Sequence, residues 1–534
     1  MPTLHWMGKD KVVNHHHDVP FRLLDKQYTF TANEGAPANS TANRIVHGDN
    51  LEALKSLLPE FEGKVNCIYI DPPYNTGNEG WVYNDAVNDP KIKKWLGQVV
   101  GKEGEDLSRH DKWLCMMYPR LKLLHRLLAD DGVIFVSIDD NEQAHLQLIV
   151  NEIFGSHNFV ADFIWLHRKS SQNDTDVSLS HNYTICMAKA RSKFTLNRIA
   201  VSNESGKFTN PDNDPRGPWI ADPMDAPNIR ENLTYVITNP NTGSQHLPPR
   251  GRCWRFSPEK FANAQAENRI LFGKNGLGRP QYKRFLREAQ IKGTNPFTVW
   301  DEVETATDGT KQMMSIFNGQ KTFETPKPVG LLEKILLLAT NDNALVLDSF
   351  AGSGTTAHAV LKLNARDGGN RRFILCEMMD YAETITAERV RRVINGSGEG
   401  TKAGAGMGGA FDYYVVGAPL FLEDRNLNEA VGEDAIRNYV AYTESIPPAQ
   451  QCGTDNAVSR YALGAGDTAL WLFYYEQDQI TTLNFDFLAG LNIKRLSKRP
   501  EHFVIYADKC ALDKDFLAKH GITFKRIPRD ITRF

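Results

Sequence analysis

Short apolar runs alternate with longer mixed stretches through the first 154 residues. The runs at 44–47, 65–70 and 132–138 predict strands, and the stretches at 50–58, 111–129 and 141–154 predict helices. Such alternation is the signature of a mostly parallel sheet covered by helices. The rhythm stops over 155–320, which is rich in Pro, Asn, Gly and Trp and offers only short strand candidates such as Tyr183–Met187. It returns with a helix at 328–340, a strand at 344–348, a helix after 354, a strand at 372–376 and a helix at 381–394. Phe411–Val416 reads as the last strand of the sheet. Residues 1–45 read as an irregular leader, and the glycine-dense 396–409 as a flexible loop. Apolar runs at 469–475, 503–507 and 522–525 predict a separate small α/β unit over 419–534. The expected fold class is α/β: a doubly wound, mostly parallel Rossmann-like sheet with an inserted domain and a small C-terminal α/β domain. Its segments are 1–160, 161–320, 321–418 and 419–534.

Composition narrows the setting. A chain of 534 residues exceeds one ordinary core. No run of eighteen apolar residues predicts a membrane span, and residues 1–20 lack the apolar core of a signal peptide. The 7 cysteines are scattered without a Cys-x-x-Cys pair, which predicts a reducing, cytoplasmic setting and no structural metal. His15-His16-His17 reads as a solvated N-terminal turn rather than a metal site. The net charge of −3 argues against a generically sticky nucleic-acid binder. Yet residues 161–330 carry an excess of Lys and Arg over Asp and Glu, so the positive charge is concentrated in the insert. There Arg250, Arg252 and Arg255 flank Trp254, and Lys274, Arg279, Lys283, Arg284 and Arg287 follow. Arginines interleaved with an aromatic suit contacts to bases and backbone; an ordinary solvated surface is the other reading.

Two motifs carry chemistry. The first, Asp71-Pro72-Pro73-Tyr74-Asn75-Thr76-Gly77, follows the strand run Val65–Ile70. The prolines lock the backbone and lack N–H donors. A carboxylate and a rigid carbonyl can then accept hydrogen bonds from one exocyclic amine, while the tyrosine ring stacks on the heterocycle bearing it. This suits a holder for an extruded base; a strand followed by a plain Pro-Pro turn is the other reading. The second, Ala344–Val360, is an apolar strand, a turn reading Asp348-Ser349-Phe350-Ala351-Gly352-Ser353-Gly354, and a small-residue helix start. Glycine permits a tight turn and close backbone approach at a helix N-terminus, the setting of a nucleotide-type cofactor. The third glycine of a dinucleotide fingerprint is missing, which disfavours a nicotinamide. Glu377 ends the next strand and is placed to accept two ribose hydroxyls.

Together these motifs resemble the S-adenosylmethionine-dependent, amino-methylating DNA methyltransferases. The catalytic motif precedes the cofactor motif, as in their beta-type permutation. His47–Asn50, Trp113–Leu121, Asp131–Glu142 and Asn210–Trp219 further resemble the modification subunits of type III restriction–modification systems. The resemblance spans roughly residues 5–418. It implies S-adenosyl-L-methionine as cofactor, double-stranded DNA as substrate, a homodimer and a helicase–nuclease partner. It implies catalytic roles for Asp71, Pro72, Pro73 and Tyr74, and cofactor contacts for Asp348, Phe350, Gly352, Gly354 and Glu377. Asp49 would touch the cofactor's adenine end or cap the helix at 50–58. Lys327 would touch the methionine moiety or belong to a helix-capping turn. The insert would recognise the target through Arg250, Arg252, Trp254, Arg255, Lys283 and Arg284. The expected reaction is methylation of the adenine amine, because cytosine-amine enzymes of the family more often carry serine at the position of Asp71. The alternatives are a cytosine-amine enzyme, an RNA or protein-glutamine methylase, and a catalytically silent recognition subunit. Residues 419–534 carry no chemical motif and are expected to serve docking or oligomerisation.

Overall fold

The computed structural model describes residues 3–76, 109–171, 176–203, 206–273, 276–397, 404–477, 479–496 and 498–529. Gly77, Lys274 and the centre of the glycine-dense stretch, 398–403, lie outside the described residues. The chain divides into two compact units, Met1–Thr195 with Thr298–Phe534, and Leu196–Phe297.

The first unit is built on a 10-stranded sheet. Its strands in chain order are β1 (Arg22–Thr31), β2 (Asn43–His47), β3 (Val65–Ile70), β4 (Leu128–Ile138), β5 (Phe159–Trp165), β6 (Asn182–Ala188), β7 (Val299–Trp300), β8 (Leu345–Asp348), β9 (Arg372–Glu377) and β10 (Ala410–Pro419). They lie side by side in the order β1-β10-β2-β9-β8-β3-β4-β6-β5-β7. The run from β10 to β4 is parallel throughout. Every residue of β8 is buried, as expected of an interior parallel strand covered on both faces. The main helices on this sheet are α1 (Asn50–Phe61), α2 (Arg109–Leu127), α3 (Gln143–Phe154), α4 (Ala306–Ile316), α5 (Val329–Ala339), α6 (Thr355–Asp367) and α7 (Glu388–Asn395). Helix α1 buries Leu51, Leu54, Leu57, Leu58 and Phe61, against a core that also holds Ile68, Ile134 and Leu347. Each such side chain contributes ~1.5–3 kcal/mol on burial.

From β8 the chain winds to β9 and β10 on one side; from β3 it winds to β4 on the other. The adjacent pair β8 and β3 therefore marks the topological switch point, and ligands bind beyond the carboxyl ends of such strands.

Several expectations are corrected. Residues 1–45 are not an irregular leader: they contain two helical turns and β1, the sheet's edge strand. The histidine cluster is not simply solvated, because His16 is buried at 6 % exposure within one of those turns. Strand β10 is the sheet's last strand in chain order, as expected, but in space it sits inside the sheet, between β1, antiparallel, and β2, parallel. The single helix expected at 381–394 is broken into a 3-10 turn, a π-helical turn at Glu383–Ala387 and α7. The second compact unit is narrower than 161–320, because β5 and β6 pair antiparallel into the main sheet beside β4 and β7 pairs with β5.

Residues 462–526 hold their own 4-stranded sheet, with Ala469–Phe473 pairing parallel to His502–Ala507. Phe473 and Tyr475, which alternate with Trp471 in an exposed-looking pattern, are buried in a core with Leu420, Ile436 and Leu463. Contact clustering keeps this segment within the first unit, where Tyr442 donates to Glu62 and accepts from Arg126. Among the described residues, no helix is long and apolar enough to cross a membrane.

Candidate active site at the carboxyl ends of the central strands

The register that pairs Ile68 with Leu347 sets the two sequence motifs side by side. Asp71 follows β3 and the glycine turn follows β8, so both emerge at one edge of the sheet.

The turn at 71–75 is fixed from behind. The indole N–H of Trp113 on α2 donates to the Pro73 carbonyl at 2.6 Å. Asn75 adopts a left-handed backbone, φ 60°, and its side-chain amide donates to Arg109 O at 3.2 Å and to Glu142 Oε1. Glu142 stands at the residue before α3, its side chain turned away from the helix N–H groups, and is wholly buried. Its Oε1 lies 2.7 Å from His110 Nδ1, and its Oε2 lies 2.8 Å from His145 Nδ1. Among the described residues, this is where His and carboxylate ligand atoms crowd closely enough to hold a metal. Asn75 already donates to Oε1, however, and each His Nδ1 can donate to the carboxylate in the tautomer protonated there, so this buried acceptor is satisfied without an ion.

On the open side, Asp71 Oδ2 accepts from Lys327 Nζ at 2.5 Å, and both side chains are 13 % exposed. The same ammonium lies 4.9 Å from the centre of the Tyr74 ring. Asp71 Oδ1 and the Tyr74 hydroxyl are buried without an aligned hydrogen bond. Burial first, then the neighbouring Asp71 charge, push the Tyr74 phenol well above its ordinary range. A cavity of about 480 Å³ opens here, walled by Asp71, Pro72, Tyr74, Asp139, His167 and Lys327 among others. Burial holds His167 down at about 4, so it stands neutral.

The glycine turn is equally constrained. Gly352 and Gly354 have φ of 51° and 79°, a region that side-chain-bearing residues seldom adopt. The Gly352 N–H donates to Glu377 Oε2 at 2.7 Å, and Thr386, in the π-helical turn, donates to the Gly352 carbonyl at 2.6 Å. Buried Arg389 on α7 donates to Ser353 Oγ at 2.8 Å and Thr355 Oγ1 at 2.7 Å. Asp348 accepts from Phe350 N at 3.0 Å and from the Thr356 hydroxyl. Burial pushes the carboxyls of Asp348 and Glu377 up to about 7.

The donors and acceptors fit a nucleoside-type cofactor: a bare backbone turn, a helix N-terminus and an acid ending the next strand. The space does not yet fit it. The cavity beside Gly352 is about 20 Å³, against ~300 Å³ at the lower end of small-molecule sites. Phe323 stands where a Gly352 Cβ would meet its ring at 3.3 Å. Asp49 takes its capping role, accepting from Leu51 N at 2.9 Å and Glu52 N at 3.1 Å, and it lines neither cavity.

The nucleic-acid candidates of the insert separate by burial. Trp254 is fully buried with Met224 and Ile237, its indole N–H on Tyr235 O at 2.7 Å, so it offers no face for a base to stack on. Lys283 is 4 % exposed and paired with Asp212 and Asp214, which withdraws it from phosphate contact. Arg252 pairs with Asp225, while Arg255 and Arg284 share Asp222. Arg250 is exposed. Sequence reasoning gave no role to Glu142, His110, His145, Phe323, Thr386 or Arg389. The acidic end of β4, Asp139-Asp140-Asn141-Glu142, was the available signal for the first of these.

A DNA methylase family model matches residues 65–388. The chain is 38 % identical to the Mod subunit of the type III restriction-modification enzyme StyLTI of Salmonella typhimurium, over 64 % of this chain and 53 % of that protein. It is 33 % identical to the EcoPI Mod subunit of Escherichia phage P1, over 70 % of this chain and 62 % of that one. It is 30 % identical to the type II methyltransferase M.KpnI of Klebsiella pneumoniae, over 64 % of this chain and 82 % of that one. The chain thus spans between half and two thirds of the length of the two Mod subunits. With the family model covering both motifs and the strands that join them, the chain belongs to the DNA methylase family.

Proposed function

We propose that this protein is an S-adenosylmethionine-dependent DNA methyltransferase that modifies the exocyclic amine of adenine within a specific sequence, as the modification subunit of a type III-like system. One observation supports the reading most: Asp71 stands in the walls of both cavities, the larger one suited to a base and the smaller one at the glycine turn. A base amine and a methyl donor would meet at that carboxylate.

When bound, the cofactor supplies an electrophilic methyl group. The chain's residues position the other partner. Asp71 and the Pro72 carbonyl accept the amine's hydrogens and turn its lone pair outward. As positive charge grows on nitrogen, the Asp71 carboxylate stabilises it. Tyr74 stacks on the extruded ring, worth ~1–3 kcal/mol per base. Gly352 and Gly354 admit the cofactor against bare backbone, and Glu377 accepts its ribose hydroxyls. Positioning carries most of the rate gain in such a displacement. Asp71 in place of serine favours adenine over cytosine. Relationship to Mod subunits favours a homodimer on double-stranded DNA that also engages a helicase–nuclease subunit, in the cytoplasm.

The test is sequencing of DNA from cells expressing the chain, with methyl incorporation by the purified protein. Methyladenine at one motif, lost in Asp71→Ala while calorimetry still detects cofactor binding, is the expected result. Methylcytosine, or no modified base beside intact cofactor binding, would replace the reading with one of the alternatives.

A further inference from the structure

We propose that the segment Phe323–Lys327 is a two-pronged plug that makes entry of the target base conditional on the cofactor. The inference rests on the function proposed above and adds an order of events to it.

The segment links α4 to α5 and has no regular secondary structure over 320–328. Its first prong is the buried Phe323 ring, which lies against Gly352 and stacks edge-on to Tyr381 at 5.5 Å. This ring shares the wall of the small cavity that remains at the glycine turn. Its second prong, four residues on, is Lys327. The ammonium holds the Asp71 carboxylate at 2.5 Å and lies over the Tyr74 ring at 4.9 Å. Those are the two groups a base would need, the acceptor for its amine and the face for its ring. Thr325, Pro326 and Lys327 stand in the walls of both cavities. One short segment thus obstructs both halves of the site.

The backbone near the second prong is held. Thr355 donates to Lys327 O at 3.2 Å, and the Pro326 carbonyl sits so close to Gly309 that a Cβ there would stand 2.4 Å away. At the upstream end, the Thr322 hydroxyl is buried without a hydrogen-bond partner. Movement there breaks no side-chain bond of Thr322. The Lys327 side chain is long enough to swing without moving its backbone.

Charge supplies the ordering. Asp71 is mostly buried, and a buried carboxylate stripped of its cation is strongly destabilising. Lys327 therefore stays on Asp71 until another cation arrives. A sulfonium held beside Asp71 would supply one, and a nucleoside held at the glycine turn would require the Phe323 ring to move aside. Lys327 is then released, and Asp71 and Tyr74 are uncovered together. In this scheme Lys327 is a positioning residue, acting on the base through Asp71.

The test uses a duplex carrying the sequenced methylation site with fluorescent 2-aminopurine at the target adenine. The cofactor analogue is sinefungin, which has a protonated amine in place of the sulfonium. For the full-length protein, a fluorescence rise that requires sinefungin is expected. In Lys327→Met the duplex alone should give at least half of that rise, with Lys327→Ala as a second variant if the first does not fold. A wild-type chain that extrudes 2-aminopurine fully without sinefungin would overturn the plug, as would a folded Lys327→Met chain that still needs it. A wild-type chain that binds neither sinefungin in calorimetry nor the duplex would remove the methyltransferase reading, and the plug with it.

Discussion

Two carboxyls at the cofactor side, Asp348 and Glu377, are held at about 7 by burial. A raised carboxyl value means that the folded chain keeps protons which the unfolded chain releases. Their contribution therefore makes the ligand-free protein lose stability as pH climbs from about 4, the ordinary carboxylate value, toward 7, and level off above. Ligand binding has the opposite requirement, because Glu377 accepts ribose hydroxyls best when ionised. Sinefungin affinity should accordingly be about tenfold weaker at pH 6 than at pH 8. Proton release on binding should be visible by calorimetry in buffers of different ionisation enthalpy. Affinity flat across that range would mean that Glu377 does not contact the ligand as a carboxylate. The neighbouring glycine makes a sharper case. At Gly352 the backbone is left-handed and a Cβ would press on Phe323, so Gly352→Val combines strain of ~1–2 kcal/mol with an obstructed turn. Binding should fall at least a hundredfold while the chain stays folded, and near-normal affinity in a folded variant would contradict the assignment.

At the scale of elements, the Asp71 turn owes its shape to α2 and α3 rather than to its own sequence alone. Glu142 ties Asn75 to the start of α3, with His110 of α2 on the same carboxylate. Glu142→Gln replaces an all-acceptor group by one that faces N–H donors with an N–H of its own. Turnover should fall more than tenfold while cofactor affinity is unchanged, a split that steady-state kinetics with calorimetry can read. Equal loss of both would point to general unfolding of the edge. This network also marks what the sequence could reveal. The interior strands were legible because parallel strands covered on both faces are nearly all apolar, as in Leu345-Val346-Leu347. Both motifs were legible because glycine and proline restrict the backbone locally. Strand β1 was not: Asp25, Lys26 and Gln27 are exposed, and its pairing comes from β10, almost four hundred residues away. Asn75 and Glu142 are 67 residues apart, so no local pattern joins them. The π-helical turn that delivers Thr386 to Gly352 has no sequence signature either; such turns often occur at functional sites. Trp254 was misread because alternation of arginine with an aromatic does not say which side of a strand faces solvent.

At the scale of the whole molecule, the two sequence motifs and the arginine-rich stretch of the insert fall in different compact units. The sheet's unit carries both motifs; the Leu196–Phe297 unit carries the basic cluster. Binding to DNA is expected to depend on the second unit through surface charge, since Trp254 is core and Lys283 is neutralised internally. Of the three arginines around Trp254, Arg250 and Arg255 are exposed, and Arg255 is only loosely paired, 3.7 Å from Asp222. If each meets a phosphate, Arg250→Ala and Arg255→Ala should each flatten the log–log salt dependence of duplex binding by about 0.9, and the double variant by about twice that. Sequence choice should be unchanged, because phosphate contacts position without reading bases. Trp254→Ala should behave differently. It removes a fully buried indole, so it should destabilise the unit by ~3–5 kcal/mol and abolish target selection through unfolding, with sinefungin binding retained by the other unit. Filter binding across a salt series, with thermal melts of each variant, separates these outcomes. A salt slope unchanged in the double arginine variant would place the DNA contact on another face of the chain.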